Sequence, residues 1–90
     1  MRHYLACYDI RQPRRLRAAL DILLDYACSR QYSVFECRLE DRERDELIHR
    51  MALILEMEDS FLLLPILHKG PIKQLGFQGW SELENAFFIG

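Results

Sequence analysis

Ninety residues give room for one domain with a modest core, because a chain of this size buries only about 60–65% of its unfolded surface. Half of the residues are hydrophobic, which excludes a disordered chain, and 12 basic against 14 acidic side chains leave a formal net charge of −2. The protein is therefore no polycation, and any affinity for nucleic acid has to come from a local basic patch.

The first predicted element is a strand over residues 3–9. Tyr4, Ala6 and Tyr8 fall on one face and Leu5 and Cys7 on the other, so neither face is polar. Such a strand is normally covered on both sides. Helices of the same chain supply one cover, and a second subunit is expected to supply the other. Pro13 then suits the first turn of a helix, where its missing N–H does no harm. Leu16, Ala19, Leu20, Leu23, Leu24 and Ala27 follow at spacings of three and four as the buried stripe.

The stretch from Gln31 to Leu39 alternates as a strand, with Phe35, Cys37 and Leu39 on one side. Asp41 is expected to cap a second helix reaching about Met57, with Leu47, Ile48, Met51, Ala52 and Leu55 inward. Asp59 to Ile66 reads as another apolar strand, with Pro65 at an edge or near its end because proline lacks a donor. From residue 68 the chain changes character: Gly70-Pro71, Gly76 and Gly79 punctuate short apolar pieces, ending in Phe87-Phe88-Ile89. That terminus is expected to dock on a sheet, a partner's being one candidate.

The order strand, helix, strand, helix, strand predicts an α+β domain of the ferredoxin-like, split βαβ kind, an antiparallel sheet with two helices on one face. Residues 1–67 form the core and 68–90 a C-terminal tail. Four core strands require that the Gln31–Leu39 region reverse to form two, or that the tail provide one. No stretch approaches the ~20 apolar residues of a membrane helix, the longest being Phe61 to Leu67. Cys7, Cys28 and Cys37 form an odd set without C-x-x-C spacing and read as buried free thiols of a reducing compartment. Met1-Arg2-His3-Tyr4 lacks the apolar region of a signal peptide, so a cytoplasmic location is expected.

Chemistry concentrates after the first strand. Asp9 stands where a strand runs into a loop, and Arg11, Arg14, Arg15 and Arg17 follow at once. Cations in the first turn of a helix oppose the macrodipole by roughly 0.3–1 kcal/mol each. Several together suggest a place that needs positive charge, and phosphate is the natural ligand of arginine forks and helix N–H groups. The plainer alternatives are Asp9 as a cap or ion-pair partner, and Arg17 with Asp21 as a surface pair. One carboxylate is too few for metal-assisted phosphodiester cleavage, and His3, His49 and His68 show no ligand spacing. A two-fold dimer that brings both Asp9 side chains together would repair the shortage. Ser33 has no histidine placed to activate it and is read as structural, with Phe35 in the core.

Taken together, Tyr8-Asp9-Ile10, Pro13-Arg14-Arg15-Leu16-Arg17, Gln31-Tyr32-Ser33-Val34-Phe35-Glu36-Cys37, Asp59 and Pro65 resemble the family of CRISPR-associated protein two, in order and spacing over residues 3–67. The resemblance implies a ferredoxin-like homodimer whose C-terminal strands pack on the partner's sheet. It also implies partnership with the CRISPR integrase, CRISPR-associated protein one, during spacer acquisition. Members of the family are described both as magnesium-dependent nucleases and as scaffolds. By the same resemblance Asp9 is the metal-binding and catalytic candidate, with magnesium weakly held at the dimer interface. Arg11, Arg14, Arg15, Arg17 and Arg30 are candidates for contacts with DNA or RNA, and Tyr8, Ser33 and Phe35 are motif residues. Where the family has a glycine after the first helix, Ala27-Cys28-Ser29-Arg30 stands here, which adds charge at Arg30. A toxin-like ribonuclease and a small-ligand regulatory module of related fold are the competing readings.

Overall fold

The computed structural model describes residues 1–31, 34–66 and 87–89. In chain order the elements are β1 (Arg2–Asp9), α1 (Pro13–Leu24), β2 (Ala27–Gln31), β3 (Val34–Leu39), α2 (Asp41–Ile54), β4 (Ser60–Ile66) and β5 (Phe87–Ile89). They build a five-stranded sheet of order β2-β3-β1-β4-β5 in which every neighbouring pair is antiparallel. This is the ferredoxin-like α+β arrangement, with β1 in the middle, flanked by β3 and β4.

Alternation decides which face is covered. Tyr4 and Ala6 of β1, Phe35, Cys37 and Leu39 of β3, and Phe61 and Leu63 of β4 are buried together with Ala19, Ile22 and Leu23 of α1 and Leu47 and Met51 of α2. The opposite face carries Leu5, Cys7, Val34, Leu62, Leu64 and Ile66, all half-buried. The register sets Leu5 between Glu36 and Leu64, and Cys7 between Val34 and Leu62. An apolar strip thus runs down the uncovered side of the central strand.

Several expected boundaries shift, each for a tertiary or local reason. The first helix stops at Leu24, so Ala27 belongs to β2 and Leu24 is exposed. The Asp25 and Tyr26 N–H groups turn back to the Ile22 and Leu23 carbonyls at 3.0 Å each, tightening the last turn. Tyr26 is held there by α2, donating to Glu46 Oε1 at 2.5 Å and accepting from Arg50 at 3.3 Å. The Gln31–Leu39 region does reverse, but its first strand begins earlier, at Ala27. Cys28 is the extra residue where the register slips between Ala27 and Ser29, which leaves its thiol exposed rather than buried.

In α2 the cap is Glu40, one residue before the expected Asp41. The Glu40 N–H donates to Glu43 Oε1 at 3.0 Å, the backward half of a capping box. The helix ends at Ile54 rather than near Met57, and Ala52 lies exposed instead of inward. A turn that pairs the Asp59 N–H with the Glu56 carbonyl, and the Glu56 N–H with Asp59 Oδ2, diverts the chain before another helical turn can form. Pro65 sits one residue from the end of β4, beyond the residues that β5 pairs. The C-terminal strand docks on a sheet as expected, and in the structure β5 pairs with β4 of the same chain. Residues 67–86 and the 67/68 boundary lie outside the described residues.

Candidate nucleic-acid interface

β1 delivers Asp9 to the end of the central strand, opposite Ser60, the first residue of β4. Asp9 is exposed, on the same uncovered face as Cys7. Together with Cys7, Tyr8, Ser60 and Leu62 it borders a shallow depression of about 210 Å³. Among the described residues no three of His, Cys, Asp or Glu stand close enough to hold a metal ion. The described residues of one chain therefore do not by themselves offer the several oxygen ligands that a magnesium ion takes.

From Asp9 the chain passes through Ile10, buried in the core, into Arg11 and Gln12. Gln12 caps α1, accepting the Arg15 N–H on Oε1 at 2.7 Å. Pro13 occupies the first helical position as predicted. The four arginines then divide. Arg11, Arg14 and Arg17 are exposed, and Arg17 makes a 3.6 Å surface pair with Asp21. Arg15 turns inward instead. Its Nε donates to Asp59 Oδ2 at 2.7 Å, and its second guanidinium nitrogen reaches Asp59 Oδ1 at 3.4 Å and Glu58 Oε1 at 2.6 Å.

Asp59 is the one buried charged residue among those described, with 1% of its surface exposed. Its carboxylate survives burial because Arg15 and the Glu56 N–H both donate to it. The Arg15 hydrogen bond and the Glu56 backbone donor hold the Asp59 carboxyl below its usual range, while the same carboxylate raises the Arg15 guanidinium. Sequence reasoning placed Asp59 at a strand start and missed this role. The two residues lie 44 positions apart, and nothing local distinguishes Arg15 from Arg14.

The motif residues also find places. Phe35 is fully buried, and its ring lies 6.2 Å from that of Tyr8. Arg30, across from Phe35 in the register, sets its guanidinium 5.1 Å above the same ring. Its stem and charge thus cover an aromatic of the core as well as face solvent. Ser33 lies outside the described residues. A polar row borders the apolar strip at the other end of the sheet. Ser29 donates to Glu36 Oε2 at 2.9 Å, His3 Nε2 lies 3.7 Å from Glu36 Oε1, and Arg38 Nε donates to His3 Nε2 at 2.6 Å. Burial pushes the Cys37 thiol up to about 12 and also raises that of Cys7, so neither is a ready nucleophile.

The model of the family described as CRISPR associated protein Cas2 matches residues 1–70. This chain belongs to the Cas2 family. It is 42% identical over 69 residues to the CRISPR-associated endoribonuclease Cas2 2 of Synechocystis sp., covering 73% of each chain. To the CRISPR-associated endonuclease Cas2 2 of Thermus thermophilus it is 30% identical over 86 residues, or 94% of this chain and 93% of the relative. The fold is similar to the crystal structure of Streptococcus pyogenes Cas2, with a TM-score of 0.68 and 28% identity over 86% of this chain and 99% of that one. A hypothetical protein from Thermus thermophilus superposes with a TM-score of 0.73 at 30% identity, covering 84% and 92%. The family and the ferredoxin-like fold implied by the sequence motifs are thus both met. No helix among the described residues is long and apolar enough to cross a membrane.

Proposed function

We propose that this Cas2-family chain works in the cytoplasm as a homodimer that holds nucleic acid for the CRISPR integrase during spacer acquisition. The observation that carries this reading is the cluster of exposed arginines, Arg11, Arg14 and Arg17, just past the exposed Asp9 carboxylate. Three exposed cations at a helix start suit the phosphate backbone of a duplex. The dimer is supported by the strip of Leu5, Cys7, Leu62, Leu64 and Ile66 along the uncovered sheet face, whose apolar surface a second copy would remove from water. Magnesium belongs to this proposal only through the dimer, which supplies two Asp9 carboxylates where one chain supplies one.

The test is reconstituted spacer integration with the cognate integrase, comparing wild type with Asp9→Ala. Full integration by the variant assigns the protein a holding role. A loss of integration with assembly and duplex binding intact assigns chemistry or metal to Asp9. Duplex binding by the assembly that ignores salt concentration sinks the phosphate reading itself. The second reading is cleavage of RNA or DNA at Asp9, favoured by the exposed carboxylate in its depression and by the nuclease names of the relatives. Asp9→Asn then abolishes cleavage and leaves the dimer unchanged; cleavage that persists rules Asp9 out.

A further inference from the structure

The buried carboxylate next to the arginine cluster belongs to neither the core packing nor the exposed site, and it joins three segments. Asp59 accepts from Arg15 in the first turn of α1, accepts from the Glu56 N–H within its own turn, and directly precedes Ser60, the register partner of Asp9. Arg15 is tied at both ends: its backbone N–H is held by Gln12 at 2.7 Å and its guanidinium by Asp59 and Glu58. The first turn of α1 therefore cannot rotate about its axis, or lift from the sheet, without withdrawing a cation from a buried anion. That turn carries Arg14, lies next to Arg11, and leads one residue on to Arg17.

We propose that Asp59, acting through Arg15, is the positioning residue of the phosphate-binding edge. It fixes where Arg11, Arg14 and Arg17 stand relative to Asp9, and it removes Arg15 from the set of phosphate ligands. This assignment rests on the nucleic-acid reading above and adds to it a division of labour among the arginines. Two physical requirements support it. A helix start rich in cations repels itself and opposes its own dipole, so an external anion is needed to hold it. A buried carboxylate, in turn, needs a partner with fixed geometry, which the planar arginine fork supplies and lysine does not.

The consequence runs against simple charge counting. Asp59→Asn raises the net charge by one and takes the buried anion away from the Arg15 guanidinium, which is left facing the exposed Glu58. If charge alone governed the edge, duplex binding would tighten and its salt dependence would steepen. Positioning requires the reverse: binding at least about fivefold weaker than wild type at the same salt. The set of ligands is tested separately by the slope of log affinity against log salt. Arg14→Gln flattens it by about one contact, whereas Arg15→Gln lowers affinity with the slope unchanged. Arg15→Lys keeps the charge but not the fork, and it too binds more weakly.

The experiment titrates a labelled duplex of random sequence with each full-length dimer across a salt series, with hydrogen exchange measured on the same proteins without DNA. In Asp59→Asn the amides of residues 10–16 lose protection while those of β1 and β3 keep theirs. Tighter binding by Asp59→Asn, an Arg15→Gln slope that falls like that of Arg14→Gln, or uniform loss of protection throughout the sheet would each overturn the assignment. Wild type that does not bind the duplex overturns the nucleic-acid reading and this assignment with it. Wild type that binds, with an Arg14→Gln loss but no effect of Asp59→Asn, overturns this assignment alone.

Discussion

Helix α2 starts with Glu40 as its cap and with Asp41 and Glu43 in its first turn, where Arg42 and Arg44 pair with Glu46 and Asp41 of the same helix. The first turn of α1, by contrast, has no acidic residue and holds Arg14 and Arg15. Negative charge at a helix start agrees with the macrodipole, and positive charge opposes it. The start of α2 is thus stabilised by its own sequence. That of α1 is stabilised from outside, by Asp59 reached through 44 positions of chain. The difference teaches which start is available for binding. An acidic helix start repels phosphate, while a cationic one held by a distant anion has the charge that the proposed phosphate contacts require.

Beyond their starts the two helices are anchored alike in the core. Leu23 of α1 and Leu47 of α2 are both fully buried. Leu23→Ala and Leu47→Ala should each lower unfolding stability by about 2–5 kcal/mol, measured by denaturant titration. A much smaller loss at Leu23 would mean that α1 hangs chiefly on its ionic corner, and the contrast between the two helix starts would extend to the whole of α1.

Acid should break the two starts differently. The Asp59 carboxyl titrates below the usual range because Arg15 donates to it, so its contribution is fully present above the unfolded carboxyl value of about 4. As pH falls further, toward the depressed folded value, that contribution is lost. Denaturation midpoints of the wild type should therefore drop below pH 4 more steeply than those of Asp59→Asn, which starts lower and has less to lose. Equal slopes for the two proteins would show that Asp59 is not the group that couples α1 to pH.

Within α2 the effect is smaller. Glu43→Ala removes the acceptor of the Glu40 N–H, together with one favourable charge, and should lower stability by about 0.5–1 kcal/mol without touching duplex binding. Thermal melts and duplex titration together check both halves of that statement. Any loss of binding would place α2 at the interface.

How far the sequence reveals these features depends on the range of the interactions behind them. The alternation of Tyr4 and Ala6, and of Phe35, Cys37 and Leu39, is local and periodic, so the covered face could be read directly. Asp9 was legible as an exposed strand end for the same reason. Helix ends were not: α1 stops where Tyr26 engages Glu46 and Arg50, and α2 stops where Asp59 closes its turn. The docking of Phe87–Ile89 on β4 of its own chain had no local signature either, since an apolar terminus suits any open sheet edge. Within the arginine run, identical residue types in adjacent positions meet opposite surroundings, Arg14 exposed and Arg15 on a buried carboxylate. Only the direction in which each side chain leaves the helix, and the anion waiting for one of them, separates Arg15 from Arg14.

The smallest effect on stability is also the one whose sign best tests the contrast. Arg14→Glu gives α1 an acidic residue in its first turn, as α2 already has. With Arg14 exposed and Arg15 left on Asp59, nothing in the core is disturbed. The dipole argument then predicts a gain of roughly 0.3–1 kcal/mol in unfolding stability at low ionic strength, fading as salt is added. Duplex binding should weaken in the same protein, because the cation proposed to meet phosphate has become an anion. Stability and binding moving in opposite directions would mean that the helix start gives up stability for its ligand. If both fall, Arg14 has a structural partner that an exposed side chain should not need, and the edge must be sought among Arg11, Arg17 and Arg30.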